Sequence, residues 1–358
     1  MINNLQVLRA FAAINVVYFH IIVTSATYDV PTQRLSFLEG WGENGVDLFF
    51  VISGFVMLHT QMQKKRNTWD FMVSRLIRIV PAYWFITTLV LVLFILFPHI
   101  FRATTPTPLW ITTSYLFMSR FITGMNPLVY VGWTLEWEML FYIVFGVSLL
   151  FKTWTRSIVF VLTVLCSIVI FSNNMIIFEF FFGMLAAWAF NRVKIGVISA
   201  NIIWGVGAFL LATSLNATLR HAGIGRVAMW GVPSLMVLFG AINSKQIKAG
   251  LLTYIGDASY SIYLAQMLTI PAFYKMTTIL SIPGKVNNDI LSVLCLAASV
   301  LFGIFMYAAF EKPFTNTLRN RLMKRPGRSE SVAIESVPYP AGRDTLRISK
   351  THGTQYPN

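Results

Sequence analysis

Ten apolar stretches follow one another along most of this chain, near residues 5–25, 46–61, 79–98, 133–151, 157–172, 175–191, 197–214, 225–242, 251–274 and 290–311. As a helix, about 20 such residues reach across the hydrocarbon core of a bilayer. There the backbone must satisfy its own hydrogen bonds, which leaves helices or closed barrels. The predicted fold class is therefore all-α, a polytopic integral membrane bundle of about ten transmembrane helices. The segment 108–123 reads as an extra surface or re-entrant helix. Of 358 residues, 56% are hydrophobic and 12% charged, whereas an ordinary soluble domain carries about 25% charged residues. That composition excludes a pair of soluble domains.

The net charge of +14 comes from 28 Lys+Arg set against 14 Asp+Glu. A nucleic-acid partner is not expected, because the basic residues lie in short clusters between apolar stretches. With the N-terminus in the cytoplasm, most of them, including Lys64, Lys65, Arg66, Arg75 and Arg78, fall on cytoplasmic loops. This is the bias that orients membrane helices, and it places both termini inside. The first stretch lacks a small-residue cleavage site and holds Arg9 and His20, so it is expected to stay as the first span. The chain divides into a membrane domain, 1–315, and a basic tail, 316–358. The tail, rich in Pro, Gly and Ser, is expected to be disordered in the cytoplasm. Cys166 and Cys295 read as small buried hydrophobes. No two histidines share a ligand spacing, so no metal is expected.

Ionisable groups at bilayer depth are costly and usually face the bundle interior. Arg9 and His20 are eleven residues apart, nearly three full turns, so they share a face about 16 Å apart along the axis. Asp47 opens the second stretch, either as the cap of its helix or as a carboxylate that orients His20 as a base. Arg75 and Arg78 share a helix face, either as cytoplasmic anchors or as two guanidinium forks for phosphate oxygens. Glu136 and Glu138 lie about 200° apart on a helix and so cannot face the same interior. Glu138 is placed by depth near His20. Tyr263 and Gln266 share a face of a polar stripe that also holds Asp257, Ser259, Tyr260 and Ser261. Glu311-Lys312-Pro313 closes the last stretch, and Glu179 sits within the sixth. The topology sorts these groups into a basic cytoplasmic mouth (Arg9, Arg75, Arg78) and an acid–base set towards the outside (His20, Asp47, Glu138).

Taken in order, these motifs resemble those of the acyltransferase-3 family of membrane acyltransferases, over about residues 3–315. Arg9 through His20 looks like its Arg-ten-residues-His signature, and GVDLFFVISGF (45–55) like its second-span motif. Arg75 and Arg78 with Ile79 and Pro81 look like its Arg-x-x-Arg element. Trp133, Thr134, Leu135, Glu138, Phe141 and Tyr142 look like its fourth-span run. Ser259, Tyr260, Ser261, Tyr263 and Leu264 look like its ninth-span motif, and Glu311 with Pro313 like its closing Glu-x-Pro. The chain departs from the pattern at Gln266, where relatives often have His, and in lacking the C-terminal esterase-like domain that many relatives carry.

The resemblance implies an O-acyltransferase of the bacterial inner membrane. It would move an acyl group, most readily acetyl from acetyl-CoA, to a hydroxyl of an exopolysaccharide, an O-antigen or a lipid-linked glycan precursor. On that reading Arg9, Arg75 and Arg78 hold the donor phosphates. His20 is the general base, oriented by Asp47 or Glu138. Trp133, Tyr142, Tyr263 and Gln266 contact substrate, and membrane lipids surround the bundle. A covalent acyl-enzyme on His20 or a serine is the alternative route. The rival from another class is a proton-coupled transporter of a small anionic solute, which also uses buried His, Asp, Glu and Arg. Such transporters often carry repeats or paired broken helices, and neither is found in this sequence.

Overall fold

The computed structural model describes residues 2–323 except 39, 98–105, 152, 173 and 215–222, and for 36 and 37 the backbone alone. The elements are α1 (Asn3–Thr27), α2 (Asn44–Gln63), α3 (Thr68–Leu96), α4 (Pro108–Tyr115), α5 (Ser119–Thr123), α6 (Trp133–Ser148), α7 (Trp154–Ser172), α8 (Phe178–Phe190), α9 (Val197–Thr213), α10 (Gly223–Arg226), α11 (Val232–Asn243), α12 (Leu251–Asp257), α13 (Ser259–Ile279), α14 (Asn288–Met306) and α15 (Lys312–Met323). Single π-turns at Val227–Gly231 and Tyr307–Glu311 carry α10 into α11 and α14 into α15. No strand occurs among the described residues.

Each of the ten apolar stretches is mainly helical over its described residues. Six helical stretches are long and apolar enough to cross a bilayer: Asn3–Thr27, Trp41–Gln63, Thr68–Leu96, Trp154–Ser172, Gly223–Asn243 and Asn288–Met323. The other four fall short for local reasons. Met175–Phe190 and Val197–Thr213 are apolar but shorter. Helix α6 has 16 residues, two of them glutamates. Helix α13 is diluted by Ser259, Ser261, Tyr263 and Gln266. The segment 108–123 forms the two short helices α4 and α5. The expected tail begins as helix, since α15 runs to Met323; residues 324–358 lie outside the described residues.

Local chemistry sets several boundaries. The Asn67 side chain accepts from the Asp70 amide and starts α3. Thr107 caps α4 ahead of Pro108, and Asn287 caps α14. Each supplies an oxygen to an otherwise orphaned helical N–H. Pro81 withholds one N–H from the α3 ladder, and the Tyr260 hydroxyl of α13 donates to the nearby Ile79 carbonyl (2.8 Å).

Helix α1 packs on α2, α11, α12, α13 and α14. Its Leu5, Leu8, Ala12 and Val16 join one buried cluster with α2, α3, α6 and α8. Its Ala13, Val17 and Ile21 join a second with α13 and α14. The helix is thus the wall between two cores, and its polar side chains meet whatever lies at their junction. Helices α2 and α8 touch backbone to backbone, because a side chain at Gly54 would overlap the Phe180 carbonyl and one at Gly183 the Val51 carbonyl. Small residues are what allow helices in lipid so close an approach.

Candidate active site

Helices α1, α2, α3, α6 and α13 enclose a cavity with about 750 Å³ of space not filled by atoms, part of it open to solvent. Arg9, Arg78 and Ser259 line it, together with Ser53, Glu138 and Tyr142, and with Phe49, Thr134 and Tyr263. Along α13 the wall climbs from Ser259 to Tyr263. In the middle, Glu138 Oε1 accepts from Ser53 Oγ (2.6 Å) and from the Tyr142 hydroxyl (2.5 Å). The Tyr263 hydroxyl donates to the Val131 carbonyl (2.8 Å) and shares a 2.7 Å hydrogen bond with Thr134. Tyr263 also meets Phe49 edge-on, their ring centroids 6.2 Å apart.

His20 sits just beyond that wall. Its Nδ1 is 2.8 Å from Gln266 Oε1. The Gln266 amide nitrogen donates to the Tyr263 carbonyl (2.7 Å), so its oxygen must be the atom facing the imidazole. An amide oxygen only accepts. This arrangement suits a proton on Nδ1 of His20 and leaves the Nε2 lone pair as the atom that could accept one. The Tyr130 ring stands edge-on to the imidazole at 5.1 Å. Gln266 lies seven residues beyond Ser259, about 10 Å along the helix, so the His20 layer and the arginine layer are stacked, not mixed.

The structure departs from the expected constellation at three residues. Asp47 does not approach His20. Helix α2 begins beside Asn15, whose amide donates to Asn44 (3.1 Å), so Asp47 falls further down α1 and faces away from it. There it makes a two-pronged pair with Arg226, at 3.1 and 2.8 Å. Arg226 also bonds Glu43 (3.0 Å) and lies over the Trp230 ring (4.8 Å). Glu179 packs beside Asp47 and Arg226 and is fully buried. Glu138 likewise belongs to the Ser53–Tyr142 layer and not to the His20 layer. Arg75 is buried over the Phe71 ring (5.5 Å) and does not line the cavity; of the three arginines expected at the mouth, Arg9, with its Nη1 bonded to Gln6 (3.0 Å), and Arg78 line it.

Trp133 stands at the start of α6 under the Arg120 guanidinium (5.3 Å). Glu136 turns away from the cavity and accepts the backbone N–H groups of Ser119 (2.7 Å) and Arg120 (3.1 Å), as a two-residue offset from Glu138 requires. Ser53, Thr134, Tyr130 and Arg226 were not singled out from the sequence as site residues. Ser53 lies within the quoted second-span motif, but its partner is 85 positions away. Among the described residues no group of three or more His, Cys, Asp or Glu side chains is placed to hold a metal ion.

The Arg226 cluster yields a stability prediction. Arg226→Met leaves Asp47 and Glu179 buried without their cation, and breaking a buried pair in this way costs about 3–5 kcal/mol. The purified protein in detergent should melt at a lower temperature, and Asp47→Asn in the same background should recover part of the loss. An unchanged melting temperature contradicts the structural role.

The described helices thus enclose a cavity with two arginines at one end and a histidine beyond the other, an arrangement compatible with a membrane group-transfer enzyme. The chain belongs to the acyltransferase-3 family: the family model described as "Acyltransferase domain" matches residues 2–309. It is also similar to the exopolysaccharide production protein ExoZ of Rhizobium meliloti (strain 1021), 30% identical over 309 residues that span 78% of this chain and 92% of that protein. No solved structure matches. The protein is thus a multi-pass membrane acyltransferase.

Proposed function

We propose that the protein transfers an acetyl group from acetyl-CoA to a hydroxyl of an exopolysaccharide or of its lipid-linked precursor. The reaction would take place in the inner membrane, with ten crossings and both termini cytoplasmic. The single observation that carries this reading is the order of groups through the bundle: Arg9, Arg78, Glu138 and Tyr263 line the cavity, and His20 with Gln266 follows directly behind Tyr263. The similarity to an exopolysaccharide production protein supports the acceptor class.

Two guanidinium groups lining a cavity suit the phosphates of a coenzyme A donor, because each is a permanently charged fork for anionic oxygens. The middle, lined by Ser53, Glu138 and Tyr142, takes the pantetheine arm. At its far end the thioester meets the His20 layer. There His20 Nε2 removes the proton of the acceptor hydroxyl as its oxygen bonds to the acyl carbon. The carbon–sulfur bond breaks, and His20 returns the proton to the thiolate. Gln266 holds the imidazole in the required tautomer throughout, the part that the sequence assigned to Asp47 or Glu138. A bundle interior shielded from water strengthens fixed dipoles facing the charge that develops on the acyl oxygen.

The test is equilibrium titration of the purified protein with acetyl-CoA, followed by CoA release on addition of glycan acceptor. Saturable binding with acceptor-dependent release of CoA is expected. A protein that binds no acetyl-CoA but moves a small anion with protons across vesicles is a transporter instead.

A further inference from the structure

We propose that Arg120, Trp133 and Tyr130 form an acceptor subsite that selects glycans bearing an anionic group close to the hydroxyl that is acylated. This rests on the acyltransferase reading above and specifies the class of acceptor that the site takes.

The three residues belong to one fixed segment. Buried Glu136 pins the backbone amides of Ser119 and Arg120. The Tyr83 hydroxyl donates to the Ser114 carbonyl (3.1 Å), the Trp84 indole to the Tyr115 carbonyl (2.9 Å) and the Trp110 indole to the Asn126 carbonyl (2.8 Å). The Leu128 amide donates to Ser114 Oγ (3.1 Å). The segment then enters α6 through a 3₁₀ turn at Tyr130–Gly132. Side chains three apart eclipse one another in such a turn, so Tyr130 and Trp133 project to the same side. The first ring meets the catalytic imidazole edge-on at 5.1 Å, and the second carries Arg120 over its face at 5.3 Å.

Tyr130 remains 36% exposed and Arg120 is exposed. The Arg120 guanidinium makes no ion pair within 4 Å and no side-chain hydrogen bond with a described residue, although the Glu136 carboxylate lies near enough to attract it, whereas Arg226 is paired directly with both Glu43 and Asp47. The Tyr130 ring beside the histidine base offers a platform for the apolar face of a sugar ring, and Trp133, its own face covered by the guanidinium, holds Arg120 at the edge of that platform. A permanent cation at its edge, whose backbone is held by a buried carboxylate, supplies a charged fork for anionic oxygens. The recognised group is a sugar carboxylate or the diphosphate of a lipid-linked precursor. Both present planar or tetrahedral oxygens that a guanidinium binds in pairs.

The test uses the full-length protein purified in detergent, without donor, titrated with three probes: a uronic-acid oligosaccharide, the same oligosaccharide with its carboxyls reduced, and a sugar diphosphate. The wild type should bind one of the two anionic probes about ten- to hundredfold more tightly than the reduced one, as expected for a charge-assisted hydrogen-bonded pair. Which of the two it prefers separates the carboxylate from the diphosphate. Arg120→Gln should abolish the preference, and Arg120→Lys should keep part of it. Acetyl-CoA affinity should be unchanged in both variants. Equal binding of charged and reduced probes by the wild type overturns the subsite, as does a preference that survives Arg120→Gln. Acetyl transfer to charged and neutral acceptors alike would refute the subsite alone, whereas transfer to neither, with no acetyl-CoA bound, would refute the acyltransferase reading.

Discussion

His20→Ala is expected to lower kcat for acyl transfer by about 10²–10⁴-fold, the usual contribution of a positioned general base, while leaving the affinity for acyl-CoA close to that of the wild type. The separation of the two effects follows from the layering. His20 bonds Gln266 beyond the Tyr263 wall and does not line the arginine cavity. The affinity should therefore hold as long as the fold does. The imidazole's Phe19 and Tyr130 neighbours, at 5.0 and 5.1 Å, favour the shape-conserving variant His20→Gln as the control for packing. Steady-state rates with acetyl-CoA in membranes, together with a donor-binding titration, provide the check. Full activity in His20→Ala removes the base assignment. Loss of donor binding alongside activity indicates that the layers are not independent.

The second large effect is expected at the other end. Arg78→Ala should weaken acetyl-CoA binding about ten- to hundredfold, since hydrogen bonds to charged groups are worth about 1.5–3 kcal/mol. Arg9→Ala should do the same. Salt should matter less to binding in either variant than in the wild type, because fewer charge pairs remain to be screened. Arg75→Ala should behave differently despite the shared motif. Arg75 is buried over Phe71 and does not line the cavity, so its loss should lower the yield of folded protein and leave the dissociation constant of what folds nearly unchanged. Titrations of the three purified variants against one donor distinguish these cases. Equal loss of affinity at Arg75 and Arg78 contradicts the cavity assignment.

The helices were legible because an apolar stretch of helical length permits little else in lipid, and each of the ten stretches is mainly helical over its described residues. The number that qualify as crossings by length and apolarity was less legible. In α6 and α13 most of the residues that line the cavity are polar, so two of the five helices that enclose the site are ones that a hydropathy count loses. The opposite faces of Glu136 and Glu138 could be read from spacing alone. What could not be read was the relative height and rotation of separate helices. A start of α2 beside Asn15 moves Asp47 away from His20 and towards Arg226, which is 179 positions away. The same limit hid the Ser53–Glu138 pair and the absence of Arg75 from the cavity that Arg9 and Arg78 line. Gln266 stood out in the sequence as part of a polar stripe, as a substrate contact and as a departure from the family's histidine; in the fold its oxygen faces Nδ1 of His20.

The most direct test of the central claim is transfer of radiolabel from acetyl-CoA by membranes that contain the wild type, His20→Ala or Arg78→Ala at matched expression. The layered arrangement predicts label in a glycan or lipid-linked glycan fraction with the wild type, and near-background incorporation with His20→Ala at any donor concentration. It also predicts that incorporation with Arg78→Ala recovers as acetyl-CoA is raised. Wild-type membranes that label no glycan or lipid fraction, or a His20→Ala variant that labels as fast as the wild type, would contradict it.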